Sequence, residues 1–522
     1  MNVSKSPVGL IVVLGSAAFI YIASFTYSVG HAIDDGIHIV TAKSMATGQG
    51  LRLISDPGSP VSTQFPPGLS LLLVPVLWLS PDIPDNIIPM KMVPAMCALL
   101  YVMLSWFWLR RYCSTTTSLW LTALVAINPE TVRFAGAVIA EMGYAATSVL
   151  ALLMFERFDT GRDNLESRRY LILTVVAITG AYLFRSVGLS LVLAAVGLLL
   201  LRRRWTAATA VGIGFLVCAS PWLLKGALIG TPEYQEQFWL FDLEDPEQGT
   251  IGVFGLVDRA LINGSTYFIT TIPYHLFPPL GGQRIVQVFQ NMGFYPLLIA
   301  LQVCISFTIC IGFWRRIYNR TGFVDLYTVI YFGVLLFWHT RLQWKYLAPI
   351  TPILLLYMTE GFRWVITQIP RLQLKPERSS AVLFILLIAG CGIRSMDYFE
   401  QGWLLSGKVD PYRNAYGWIR DETPPESRLM GFDHLGLYLY TGRKAIATAM
   451  SHVPRNSMHY IQTTKTDYFI VGTTVVKGGL TIEEQYVEPI FEKYPDSFSL
   501  MYMDPKSRIR VYKVHPLPLP DL

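Results

Sequence analysis

The chain has 522 residues, of which 52% are hydrophobic and only 15% charged, with a mean hydropathy of +0.41; this balance excludes an ordinary soluble protein. The formal net charge of +6 is modest, and the basic residues cluster in short loops between apolar runs, so the charge reflects topology rather than a nucleic-acid partner. All six cysteines, Cys97, Cys113, Cys218, Cys304, Cys310 and Cys391, lie in or beside apolar runs, which leaves no disulfide framework and no zinc spacing.

The first apolar run, about 8 to 29, follows Lys5 and carries no small-residue cleavage pattern, so it reads as a retained signal anchor with a cytoplasmic N-terminus. Asp34-Asp35-Gly36-Ile37-His38 then opens an expected interfacial helix running through Ala42 and Lys43 to Gly48. The segment from Pro66 to Leu79 is short and has prolines at 66, 67 and 75, so it is expected to lie in the outer interface rather than cross. Basic clusters follow at Arg110-Arg111, Arg157 through Arg169, Arg202-Arg203-Arg204, Arg315 through Arg320, and Arg363 through Arg378. Placing each in the cytoplasm gives about eleven crossings. They fall near 8–29, 87–109, 113–128, 138–155, 170–184, 187–201, 206–223, 293–314, 323–339, 345–362 and 379–395.

Two outer loops result, about 30–86 and about 225–292. The second holds Asp242, Glu244, Asp245 and Asp258, and its apolar stretch from Tyr267 to Pro279 is too broken by prolines to span. Interfacial helices forming a lid or acceptor groove are expected there. Charges and turn residues return after about residue 399, where expected strands (Arg428 to Phe432, Tyr468 to Val471, Ile509 to Val514) alternate with helix-like runs (Asn456 to Gln462, Glu483 to Tyr494). The expected architecture is a mostly α polytopic membrane domain, 1–398, with a C-terminal soluble α/β domain, 399–522, on the outer side. Asp433-His434, after the first of those strands, reads as a polar loop pair.

With this orientation the acids Asp34, Asp35 and Glu141 and the bases Arg133, Arg185, Lys225, Arg341 and Lys345 all fall near the outer face. A charge buried near a bilayer costs about 2.5–3.5 kcal/mol even on lenient scales, and positive charges at outer helix ends run against the usual bias, so these groups need partners or a task. Asp34 suits either a helix N-cap or a general base accepting a proton from an attacking hydroxyl, with Asp35 favoured by the helix dipole. Glu141 either faces the same cavity or pairs with Arg133. Arg185 lies at the tip of a tight outer hairpin. Arg341 and Lys345, four apart, would share a helix face and either snorkel to headgroups beside Trp344 and Tyr346 or clamp a lipid phosphate. The histidines His31, His38, His275 and His339 are scattered without metal-ligand spacing, and no nucleotide-binding glycine loop occurs in a suitable setting, so phosphate handling falls to side chains.

Four stretches resemble the multi-spanning GT-C glycosyltransferases of the protein O-mannosyltransferase and aminoarabinose transferase type. They are Asp34-Asp35-Gly36 with Ala42 and Gly48, Phe65-Pro66-Pro67-Gly68-Leu69, Phe184-Arg185-Ser186-Val187-Gly188 with Pro221-Trp222-Leu223-Leu224-Lys225, and Lys345-Tyr346-Leu347-Ala348-Pro349-Ile350-Thr351-Pro352. The chain departs from that pattern at Asp35, where Glu is commoner, at His38, where Tyr is usual, and at Gln64, where one branch has Lys. The resemblance implies a polyprenyl-phosphate-sugar donor, a hydroxyl acceptor (glycan, lipid or protein), inversion at the anomeric carbon and a multi-pass protein of the cytoplasmic (inner) membrane. It implies Asp34 as the base and Arg185, Arg341 and Lys345 as the phosphate holders, with no metal or other cofactor; Asp35 is a second candidate catalytic carboxylate, and Lys225, Glu141 and Arg133 are further candidates for binding the donor. The alternative is a secondary transporter or flippase of a lipid-linked or anionic substrate, which would show internal repeats, and no convincing repeat is present. A lipid-binding scaffold would keep the cations without needing the acids.

Overall fold

The computed structural model describes residues 6–160, 165–229, 233–242, 246–339, 343–368, 376–402, 410, 412–472, 481 and 483–515. Helix α1 (Ser6–Ala23) is followed by two short helices, α2 (Ile33–Ala46) and α3 (Gly68–Leu79). A packed series comes next: α4 (Ile87–Leu109), α5 (Thr115–Ile127), α6 (Pro129–Ala135), α7 (Glu141–Thr160), α8 (Leu165–Phe184), α9 (Leu189–Leu201) and α10 (Trp205–Ile229). After α11 (Glu233–Trp239), α12 (Val253–Thr266), α13 (Ile272–Leu276) and α14 (Gln283–Asn291), the helical layer closes with α15 (Tyr295–Arg320), α16 (Phe323–Phe337), α17 (Thr351–Thr367) and α18 (Pro376–Gln401).

Four of these helices, α4, α10, α15 and α18, are long and apolar enough to cross a membrane, and shorter apolar helices surround them, as befits a membrane protein. Apolar side chains point outward as well as inward: Ile213, Leu216, Val217, Leu224 and Leu228 of α10 are all exposed, the arrangement of a helix bathed in lipid. Inside, tyrosines fill the core and find acceptors for their hydroxyls. Tyr21 donates to the Ala126 carbonyl at 2.9 Å, Tyr101 to the Ala348 carbonyl at 2.8 Å, and Tyr331 to the Tyr346 carbonyl at 2.7 Å. Arg316 joins three helices at one end of the bundle, reaching Asp325 at 3.2 Å and Glu360 at 2.9 Å. Where α15 crosses α17 the backbones touch: a Cβ on Gly312 would lie 1.9 Å from the Tyr357 carbonyl oxygen, and one on Gly361 1.9 Å from that of Thr308.

Three expectations are corrected. The first helix ends at Ala23 rather than near 29. The stretch from Tyr267 is not broken before Phe277: α12, a π turn (Tyr267–Thr271) and α13 run on without a gap through Pro273, and the Phe268 carbonyl in the preceding turn accepts the Ser306 hydroxyl at 2.5 Å. The expected span from 345 begins instead as a 3-10 turn, Gln343–Ile350, and the α-helix starts only at Thr351, since Pro349 withholds a helical donor. Glu244 and Asp245 lie outside the described residues.

The C-terminal elements form a second layer. Helices α19 (Arg413–Glu422), α20 (His434–Thr441), α21 (Pro454–Thr463) and α22 (Glu488–Lys493) surround a five-stranded sheet. Its strands are β1 (Leu429–Gly431), β2 (Ala445–Ile446), β3 (Tyr468–Val471), β4 (Phe498–Met503) and β5 (Arg510–Val514), in the order β2-β1-β3-β5-β4. Strand β1 pairs parallel with β2 and β3, whereas β5 pairs antiparallel with β3 and β4. The three expected strands are the inner ones; the two that the sequence pattern does not announce are the edges, one only two residues long and one half exposed. Several contacts tie this layer to the first outer loop and to α2. The Ala445 N–H donates to the Ser55 carbonyl at 2.9 Å, and α20 packs on α2, where a Cβ on Gly36 would lie 2.6 Å from the Leu435 Cβ.

Gly312→Ala tests the helix crossing. The added methyl has only backbone to push against, so unfolding of the detergent-solubilised protein should require about 1–3 kcal/mol less. An unchanged melting temperature would contradict the close approach.

Candidate functional site

Four ionisable side chains meet in one place. Lys345 Nζ bonds Asp34 Oδ2 and lies 3.0 Å from Glu141 Oε1, and Arg185 bonds the same Glu141 oxygen. The Arg185 guanidinium also sits 5.9 Å from the centre of the Tyr346 ring. Glu141 is 2% exposed, Lys345 11% and Arg185 17%, whereas Asp34 keeps 29% of its side chain open, so the cluster is buried at Glu141 and most open at Asp34.

Local structure explains the convergence. Asp34 and Asp35 occupy the first turn of α2, and Asp35 faces backward, accepting the N–H of Gly30 at 2.8 Å and of Ala32 at 3.0 Å. Asp35 is therefore the cap that starts the helix, and Asp34 is the carboxylate aimed at the cluster. Gly30 has φ +84°, a left-handed conformation that favours glycine. Glu141 opens α7, where the helix dipole favours a negative charge. The next two motifs lock together. Gly143 carries no Cβ where one would lie 2.2 Å from the Phe184 ring, so Phe184 lies flat on α7 and its neighbour Arg185 reaches Glu141. Gly68 in turn abuts the Leu183 carbonyl, which a Cβ would approach to 2.6 Å, seating α3 on the end of α8. Lys345 projects from the 3-10 turn whose carbonyls at Tyr346 and Ala348 are held by Tyr331 and Tyr101.

Electrostatics follow from the geometry. Burial opposes ionisation of Asp34, but the Lys345 and Arg185 charges outweigh it and hold the carboxyl below its usual range. Burial pushes the Asp35 carboxyl up to about 6, although the Gly30 N–H works against it. His38, buried with its ring 5.3 Å from that of Phe65, is pushed down to about 4 by burial and is neutral.

The other sequence-derived residues lie elsewhere. Arg133 pairs with Glu130 at 3.7 Å, not with Glu141, because both belong to the same short helix, α6. Lys225 braces the first outer loop, donating to the carbonyls of Ser62 at 2.9 Å and Leu51 at 3.3 Å. Arg341, expected to share a face with Lys345, lies outside the described residues.

A second cluster was not anticipated. His31 Nδ1 lies 2.6 Å from Asp433 and Nε2 2.7 Å from Asp410, so the histidine read as scattered and the Asp433 read as a loop residue are partners across about 400 positions of chain. Nothing in the sequence around His31 signals it. Burial would lower the His31 pKa, but the hydrogen bonds and charges of Asp410 and Asp433 prevail and raise it to about 10.

No family model and no curated protein matches the sequence. Solved structures do. ArnT from Cupriavidus metallidurans in the apo state aligns at TM-score 0.58 with 14% identity, covering 98% of this chain and 98% of that one. The same protein bound to undecaprenyl phosphate aligns at 0.56 with 13% identity over 96% and 97%. The archaeal oligosaccharyltransferase AglB from Archaeoglobus fulgidus, in complex with an inhibitory peptide and a dolichol-phosphate, aligns at 0.58 with 12% identity over 98% and 75%.

Lys345→Met leaves two carboxylates with one cation fewer, and should cost about 3–5 kcal/mol of unfolding free energy in detergent, most of it restored by adding Glu141→Gln; a silent single variant would contradict the shared ion pair. The His31 cross-link has its own pH signature. A raised histidine pKa makes its contribution complete below the free imidazole value of 6.5 and lost as pH rises through about 10. Amide exchange at Val29 and Gly30 should accelerate beyond the intrinsic base-catalysed trend across that window, and His31→Gln should abolish the extra acceleration. An identical pH response in both proteins would refute the clamp.

The likeness spans nearly the whole of this chain and identifies its architecture: the chain shares the fold of ArnT and AglB.

Proposed function

We propose that the chain is an integral membrane glycosyltransferase that moves one sugar from a polyprenyl-phosphate carrier to an acceptor hydroxyl at the outer face of the cytoplasmic membrane. The observation that carries this reading is the junction of Asp34, Glu141, Arg185 and Lys345 in one mostly buried ion-pair cluster that stays partly open at Asp34. Two carboxylates and two cations sum to zero formal charge, a resting state that tolerates burial. The reading is supported by the fold neighbours, one bound to undecaprenyl phosphate and one to a dolichol-phosphate.

In this reading Asp34 accepts the proton of the acceptor hydroxyl as the oxygen attacks the anomeric carbon. The bond from that carbon to the phosphate oxygen breaks, the electron pair leaves with the lipid phosphate, and in-line attack inverts the configuration. Arg185 and Lys345, with Arg341 as a further expected contributor, stabilise the charge that builds on the departing phosphate. Because Lys345 is already engaged by Asp34, an arriving phosphate competes for it. Withdrawal of the ammonium raises the proton affinity of Asp34, so donor binding itself sharpens the base. Glu141 Oε2 is buried with no hydrogen-bond partner among the described residues, an acceptor suited to a sugar hydroxyl.

The remaining parts take roles that fit the cluster. Asp35 fixes the turn that presents Asp34, Lys225 steadies the first outer loop, about 30–86, and Arg133 with Glu130 sits to one side. In this reading residues 1–398 form the membrane domain with about eleven crossings, the count that the basic clusters of the sequence give, and 399–522 form the outer domain.

The purified protein, offered a panel of polyprenyl-phosphate sugars with hydroxyl acceptors, should release lipid phosphate. Asp34→Asn should lower that release by about 10²–10⁴-fold while binding undecaprenyl phosphate within a few-fold of wild type. Transfer by Asp34→Asn at the wild-type rate would defeat the assigned base, and solute transport across vesicles without phosphate release would favour a transporter.

A further inference from the structure

His31 is the only connection of its kind between the two layers among the described residues: an imidazole with a carboxylate on each ring nitrogen. Since both nitrogens face carboxylate oxygens, both must carry protons, which makes the ring an imidazolium. It is walled by aromatic rings, stacked on Tyr440 at 5.3 Å and edge-on to Tyr412 at 4.9 Å. The carboxylates are themselves fixed. Asp410 accepts the Tyr412 N–H at 2.8 Å, and Asp433 accepts the Tyr416 hydroxyl and caps α20 through the Gly436 N–H at 3.2 Å.

The other side of the cluster is the turn that starts α2. Tyr440 accepts the Val29 N–H at 3.1 Å, and Asp35 accepts the N–H groups of Gly30 and Ala32, so residues 29–35 form one hydrogen-bonded unit with His31 at its centre. Nearby, Lys91 Nζ donates to Thr26 at 2.6 Å. One helical position beyond Asp35, Gly36 receives Leu435 of α20 in a contact that leaves no room for a Cβ. The C-terminal layer therefore grips the chain both before and after Asp34.

We propose that His31 is a positioning residue: pinned between Asp410 and Asp433, it fixes the turn that presents Asp34 to Lys345, so that sugar transfer requires the C-terminal layer to be docked. This rests on the glycosyltransferase reading for its consequence, but the geometric half stands on the clamp alone. A purely structural role for His31 would weaken lipid binding and turnover together; a positioning role separates them, because Arg185 and Lys345 belong to other elements.

The test uses the full chain in nanodiscs with His31→Gln, which keeps at most one of the two hydrogen bonds and removes the charge. Expected are a fall in kcat of tenfold or more, KM within twofold, unchanged affinity for undecaprenyl phosphate, and at least tenfold faster amide exchange at Val29, Gly30 and Ala32. Asp433→Asn should give the same pattern, and the double variant should be no worse than the more impaired single. Unchanged kcat in His31→Gln, or undecaprenyl phosphate affinity that falls in step with kcat, overturns the proposal. If the wild-type chain transfers no sugar, the enzyme reading fails and the exchange comparison decides alone, with unchanged protection in His31→Gln overturning the clamp.

Discussion

The ammonium of Lys345 stands between two carboxylates, Asp34 and Glu141, and with Arg185 it offsets their charges in a mostly buried place. Much of the architecture serves this meeting. Asp34 arrives from α2, Glu141 from the first residue of α7, Arg185 from the turn after α8, and Lys345 from a 3-10 segment held by tyrosines of α4 and α16. Each donor element is short or irregular where it delivers its side chain, and each is held by something longer. Glycines 68 and 143 permit the backbone contacts that bring the elements within reach.

Neutrality makes the arrangement stable and also makes it responsive. A cluster that sums to zero gains little from holding still when an anionic ligand offers Lys345 and Arg185 a better-placed partner. The same displacement that accommodates a phosphate would raise the basicity of Asp34, so binding and activation are one electrostatic event. Asp34 is also the most open member of the group.

The charged residues of the cluster were legible in the sequence because charge near a bilayer is costly and has to be accounted for. Asp34, Glu141, Arg185 and Lys345 stand out by that reasoning alone. Their pairing was less legible: Arg133 lies nearer to Glu141 in sequence than Arg185 does, yet it turns to Glu130 on its own helix, and only the flat seating of Phe184 on Gly143 reveals why Arg185 takes the place. Lys225 and Arg133 show that a cation at the outer end of a helix can brace backbone or pair locally without joining the site. In the C-terminal layer the inner strands announce themselves as apolar runs, whereas β2 has two residues and β4 is a partly exposed edge, too weakly patterned to read. The His31 clamp was hidden for another reason, since nothing local ties residue 31 to residues 410 and 433 until the two layers are stacked.

The most direct measurement is an experimental structure of the chain with undecaprenyl phosphate bound. The account predicts the phosphate within hydrogen-bonding distance of both Arg185 and Lys345, with Lys345 drawn away from Asp34 and the carboxylate facing the phosphate-bearing end of the lipid. Lipid phosphate resting elsewhere, with the bond between Lys345 and Asp34 intact, would contradict it.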